Sequence, residues 1–96
     1  MTTSAETIDQ YVADHLDASL EELKRLCAQP SVSARHEGID ACAALVAETL
    51  RGHGFTVQIF QTPGHPVVVG TAKGQANRTL LCYNHYDVQP PEPLEL

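Results

Sequence analysis

His85 and Asp87 stand two residues apart where an apolar stretch, LLCYN, gives way to the proline-rich VQPP. A neutral imidazole is a good ligand for zinc, and a carboxylate beside it can hold the ring in one tautomer and raise its basicity. In extended backbone, residues two apart project to one face, so both side chains can address the same small volume if a strand persists through Tyr86. Position adds to residue type: in open α/β sheets ligands sit beyond the carboxyl ends of strands, which is where these two residues fall. H-x-D is a short pattern, and its plainer reading is a strand-end His bonded to a loop carbonyl.

Other groups with chemical potential read as structural. His15, His36, His53 and His65 share no ligand spacing with His85. Cys82 alternates with Leu81 and Tyr83 on an expected buried strand, so it packs as a small hydrophobe. Ser31 and Ser33 lie in PSVSA without a G-x-S-x-G turn, which argues for helix or turn capping over nucleophilic catalysis. Asp14, Asp17, Glu21 and Glu22 form a solvated helix face, and Glu92 and Glu95 are solvent-facing loop acids. Tyr86, between the two candidates, points to the opposite side and packs.

The elements that must position His85 and Asp87 follow from periodicity. Thr3 and Glu6 have the form of a capping box, and Ile8, Val12, Leu16, Leu20, Leu23 and Cys27 recur at helical spacing, predicting a helix over residues 5–28. Pro30 disfavours helical geometry at Gln29 and ends it. Ile39, Cys42, Ala43, Val46 and Leu50 predict a second helix over residues 37–53, closed by Gly52 and Gly54. From Phe55 the period becomes two, giving a strand to Phe60; TPGHP is a turn, residues 67–72 form a second strand, and residues 79–84 a third. The order is helix, helix, three strands. The segment PPEPLEL has three prolines and little tendency to regular structure.

Composition narrows the function classes. The 96 residues fit one small domain, and 43% hydrophobic with 19% charged residues is ordinary for a folded soluble chain. Twelve acids against six bases give a net charge of −6, and the bases are scattered, so neither nucleic acid nor an anionic membrane is an expected partner. Three cysteines, odd in number and without a C-x-x-C pair, suggest neither a disulfide framework nor a thiolate zinc knuckle. With no export signal or membrane-length apolar run, the expected location is cytoplasmic.

The string LLCYNHYDVQPPEPLEL resembles the first metal-ligand segment of the zinc peptidase family that includes carnosine dipeptidases, aminoacylases and succinyl-diaminopimelate desuccinylase, with its dipeptidase-like branch the nearest match. Pro30 to Ala34, PSVSA, and Leu50 to Phe55, LRGHGF, resemble the ends of that family's first two helices. The resemblance implies that residues 1–96 are the N-terminal portion of a three-layer α/β/α, zinc-exopeptidase-like catalytic domain with a mixed sheet, incomplete in this chain. It implies that His85 binds one zinc of a two-zinc site and that Asp87 takes the supporting catalytic role of orienting that site. Asn84 departs from the family, where Gly or another small residue usually precedes the His; Asn tolerates positive φ, so the turn can survive.

The implied reaction is hydrolysis of a peptide or N-acyl amide bond, with a dipeptide or N-acyl amino acid as substrate and a homodimer formed through a domain this chain does not contain. The remaining ligands and a general-base glutamate would come from later sequence, so the isolated chain is expected to be inactive. The third strand would lack a neighbour, which predicts poor solubility and little zinc uptake for the chain alone. The alternative expectation is a non-catalytic folding or interaction module that pairs with a separately encoded remainder.

Overall fold

A computed structural model describes residues 4–92. Helix α1, Ser4–Ala28, carries its apolar residues on one face and stops before Pro30, its last turn closed by the Gln29 N–H on the Leu26 carbonyl at 3.2 Å. Thr3, half of the expected capping box, lies outside the described residues. The apolar face meets little protein: no residue of α1 is buried, and Ile8, Val12, Leu16 and Leu23 are all at least half exposed. Polar contacts lean α1 on the second helix, with His53 Nε2 2.9 Å from both Glu22 carboxylate oxygens and Arg25 Nη2 3.5 Å from Glu48.

Helix α2, Ile39–Gly52, is the organising element. It buries Ile39, Cys42, Ala43, Leu45 and Ala47, which with Val32 and Pro66 make up the buried apolar residues among those described. Its entry depends on Gly38, held at φ 69°, where a Cβ would lie 2.0 Å from the Pro30 carbonyl oxygen. Only glycine allows that approach, because both the left-handed φ and the missing side chain are required. Gly54, at φ 88°, turns the chain out of α2 as the sequence predicts.

Strands β1, Thr56–Phe60, and β2, Val67–Thr71, form an antiparallel pair with Thr56 opposite Thr71 and Phe60 opposite Val67. The hairpin lies on α2 and packs tightly at Gly70, where a Cβ would meet Leu50 Cδ1 at 3.0 Å. Thr62 shapes the turn, accepting from the Gly64 N–H at 3.1 Å and donating to the His65 carbonyl at 2.7 Å. The described residues therefore make a small mixed α/β fold of two α-helices and a two-stranded antiparallel sheet.

The third strand is a correction. Residues 79–84 form no ladder, and Leu80, Leu81 and Tyr83 are 88%, 88% and 84% exposed. Alternating apolar residues suit a pleated surface, but a strand exists only through pairing, and no neighbour among the described residues pairs with this one. Cys82, expected to be buried, is exposed for the same reason. The uncovered area is large. The chain exposes 8401 Å² with a radius of gyration of 16.6 Å, against roughly 5,400 Å² and about 12.5 Å for a compact monomer of this mass and length.

Candidate functional site

The loop between the helices and the segment carrying His85 and Asp87 come together as a clamp. Residues 32–37 make a tight turn around the 3₁₀ helix η1, Ser33–Arg35, with the Val32 N–H on the Glu37 carbonyl at 2.8 Å and the Glu37 N–H returned to Val32 at 3.1 Å. Val32 also bridges Val88 in parallel, and the Val88 N–H donates to the Ser31 carbonyl at 2.7 Å. The buried Ser31 hydroxyl donates to the Tyr86 carbonyl at 2.6 Å, and the Ser33 hydroxyl donates to Asp87 Oδ2 at 2.5 Å. Arg35 Nη2 reaches Glu92 at 2.8 Å and closes the far end. These bonds fix residues 86–88 without a regular strand.

His85 and Asp87 converge as their spacing suggests, although no regular strand carries them. His85 Nδ1 lies 2.9 Å from the Asp87 carbonyl oxygen and 3.1 Å from Asp87 Oδ1. Both contacts require a donor, so Nδ1 carries the proton and Nε2 keeps its lone pair. The His85 side chain is 74% exposed, and Nε2 has no protein partner among the described residues. The plainer expectation of a loop-carbonyl bond is thus present too, on the same nitrogen, and it leaves the other nitrogen available for a ligand. Asn84 does not use its tolerance of positive φ: among described non-glycine residues His36 alone adopts it.

The Asp87 carboxyl is held below its ordinary value, first by the Ser33 hydroxyl and then by the His85 imidazole. Tyr86 packs, its hydroxyl donating to the Pro66 carbonyl at 2.5 Å. Burial, with the Cys42 thiol and the Asp40 and Asp87 carboxylates nearby, pushes that hydroxyl's pKa up.

Sequence reasoning missed the serines' role. Neither η1 nor α2 receives a side-chain cap at its entry, and Ser31 and Ser33 bind a segment 55 and 54 positions away instead. Gly38 was missed as well; its signal was a glycine between the polar HE pair and the first apolar residue of α2.

Three of the remaining imidazoles, those of His15, His53 and His65, have hydrogen-bond partners, and His36 has a ring contact. His15 Nδ1 meets the Tyr11 carbonyl at 2.8 Å, His53 meets Glu22, and His65 Nε2 lies 3.2 Å from the Ser33 carbonyl with its ring 4.8 Å from that of His36. Glu92, expected to face solvent, is exposed and paired to Arg35, whereas Glu95 lies outside the described residues. No group of three or more His, Cys, Asp or Glu is placed to hold a metal among the described residues, so His85 stands as a single donor. No described helix is long and apolar enough to cross a membrane. The chain matches no protein-family model, no curated protein and no solved structure.

Proposed function

We propose that this chain carries the first ligand segment of a zinc-dependent dipeptidase or related amidohydrolase, with His85 as a zinc ligand and Asp87 as its orienting acid. The observation that supports it is the oriented imidazole: Nδ1–H turned onto Asp87, and Nε2 unpartnered among the described residues on an exposed ring. A carboxylate or carbonyl behind the ring is the usual companion of a zinc-bound histidine. Bound zinc would polarise an amide carbonyl and acidify a water near neutral pH. His85 would hold the metal through Nε2, and Asp87 would keep the ring's orientation and basicity.

A zinc site takes three or four protein ligands. The others, with a second zinc and a glutamate base, would come from further polypeptide completing a three-layer α/β/α domain of which residues 1–96 are the N-terminal portion. The large uncovered surface fits that arrangement, since α1, the outer edges of the hairpin and residues 79–84 all lack a covering layer among the described residues. The substrate would be a dipeptide or N-acyl amino acid, the complete protein could dimerise through another domain, and a reducing cytoplasm would keep the exposed Cys27 and Cys82 thiols free.

The test is to express the whole reading frame containing this chain and assay zinc-dependent dipeptide hydrolysis with and without H85A. Activity that vanishes on chelation, returns with zinc and is lost in H85A is the expected result. Chelator-insensitive activity, or H85A turning over at the wild-type rate, refutes the assignment. The uncovered α1 face also supports a second reading, a non-catalytic module that pairs with a separately encoded remainder. Its expected sign is stoichiometric co-purification of a second polypeptide with the native chain, and a lone monomer argues against it.

A further inference from the structure

We propose that Ser33 is a positioning residue for His85: its hydroxyl, acting through the Asp87 carboxylate, sets which imidazole nitrogen is presented for a ligand. The proposal deepens the zinc-ligand reading and rests on it for the purpose of the tautomer, but the tautomer itself is a property of the chain without metal.

The Ser33 hydroxyl occupies Asp87 Oδ2 at 2.5 Å, so the carboxylate cannot swing toward solvent without breaking that bond. Its other oxygen is then left facing His85 Nδ1 at 3.1 Å. The Asp87 carbonyl accepts from the same nitrogen at 2.9 Å, and that carbonyl is held in place by the flanking bonds of the Ser31 hydroxyl to the Tyr86 carbonyl and of the Val88 N–H to the Ser31 carbonyl. Ser33 is itself anchored. Its carbonyl accepts from the His36 N–H at 3.2 Å and lies 3.2 Å from His65 Nε2, which ties η1 to the turn between β1 and β2. The order of control therefore runs from a tight turn to a hydroxyl, from the hydroxyl to a carboxylate, and from the carboxylate to an imidazole proton. A solvated histidine prefers its proton on Nε2, the nitrogen a metal at this position would need. The Ser33 contact biases His85 to the opposite tautomer, which leaves Nε2 ready to coordinate.

The experiment is long-range ¹H–¹⁵N correlation of the histidine rings in the uniformly labelled full chain, at a pH where the imidazoles are neutral, followed by zinc chloride titration of the whole reading frame that would supply the other ligands. In the wild type, His85 should show a protonated Nδ1 and a bare Nε2. S33A should move His85 toward the solution mixture of tautomers and weaken zinc at His85 roughly tenfold, the lower end for loss of a group behind a metal-bound histidine. S33T keeps the hydroxyl and should restore both. S33C preserves the volume with only a weak donor and should behave as S33A, so the comparison survives if the alanine variant fails to fold. An unchanged His85 tautomer in S33A and S33C overturns the proposal. The two readings fail separately. A tautomer shift in S33A with no zinc response at His85 in the wild type sustains the positioning role and removes the metal-ligand assignment. Zinc binding at His85 that is equal in wild type, S33A and S33C does the reverse.

Discussion

The turn at residues 31–38 and the long helix α1 adjoin in sequence and are built on opposite principles. The turn is tied by specific contacts: Ser31, Ser33 and Val32 bind residues 86–88, Glu37 binds Val32, and Gly38 sits against Pro30. Helix α1 satisfies its backbone internally and presents Ile8, Val12, Leu16 and Leu23 to open space. Geometry in the turn is fixed by contacts within the described chain, whereas α1 has an amphipathic face whose partner is not among the described residues. The same contrast separates residues 86–92, which are clamped, from residues 79–84, which form no ladder. The candidate ligand thus belongs to the better determined half of the molecule.

The strongest way to break the contrast is at the two kinds of glycine. G38A forces a Cβ to 2.0 Å from the Pro30 carbonyl oxygen at a left-handed φ of 69°, and should cost about 4 kcal/mol in a urea melt, combining backbone strain with a backbone clash. Gly74, in the uncovered region, has nothing within 4 Å of the position a Cβ would take, and G74A should change stability by less than about 0.5 kcal/mol. Equal effects at the two sites would mean that the turn is not the rigid element the contacts describe.

Apolar truncation offers the next test. Ile39 is 4% exposed in the first turn of α2, and I39A should cost roughly 2–4 kcal/mol through lost burial and the cavity left behind. Leu16 is 50% exposed on α1, and L16A should cost no more than about 1 kcal/mol in the chain by itself. A loss at Leu16 as large as that at Ile39 would show that α1 is covered in solution, by a second copy or another polypeptide. Sedimentation of the same samples would then report the associated species.

How much of this was legible in the sequence follows the same division. The helices and the hairpin were legible because their signals are local: helical spacing over α1 and α2, Pro30 as a stop, Gly54 as an exit, and alternation from Phe55 onward. Residues 79–84 have an equally good strand pattern, but pairing depends on a neighbour that a local pattern cannot specify. At the site, H-x-D identified the imidazole and its acid because the two are close in the chain. Ser33 was beyond reach, because 54 positions separate it from Asp87 and PSVSA has the composition of any capping loop. Gly38 was similarly hidden, since its requirement arises only when Pro30 packs on it.

Removing one atom from the clamp sharpens the contrast further. Y86F deletes the hydroxyl that donates to the Pro66 carbonyl at 2.5 Å and should cost about 1 kcal/mol. Truncating the exposed Tyr83, 84% accessible on the unpaired stretch, should leave the melt unchanged. Hydrogen exchange should show the same order, with the Val88 amide, bonded to Ser31 at 2.7 Å, protected well beyond the amides of residues 79–84.

The smallest expected effect is in the pH dependence, and its sign distinguishes the two flanks of the clamp. Asp87 has a depressed carboxyl pKa, chiefly through the Ser33 hydroxyl, so folding favours its charged form. Its contribution is complete above the ordinary carboxylate range near ~4 and is lost as the pH falls below that range through the lower native value. Tyr86 is raised, chiefly by burial, so folding favours its neutral form. Its contribution is complete below the ordinary tyrosine value near ~10 and declines as the pH rises past it. Amide exchange at Val88, whose N–H is bonded to Ser31, should therefore accelerate at both extremes beyond the intrinsic chemical rate. S33A should remove most of the acid limb and leave the alkaline one, and Y86F the reverse. If S33A leaves the acid limb intact, the Ser33 hydroxyl is not what holds the Asp87 carboxylate, and the order of control from turn to imidazole fails at its first step.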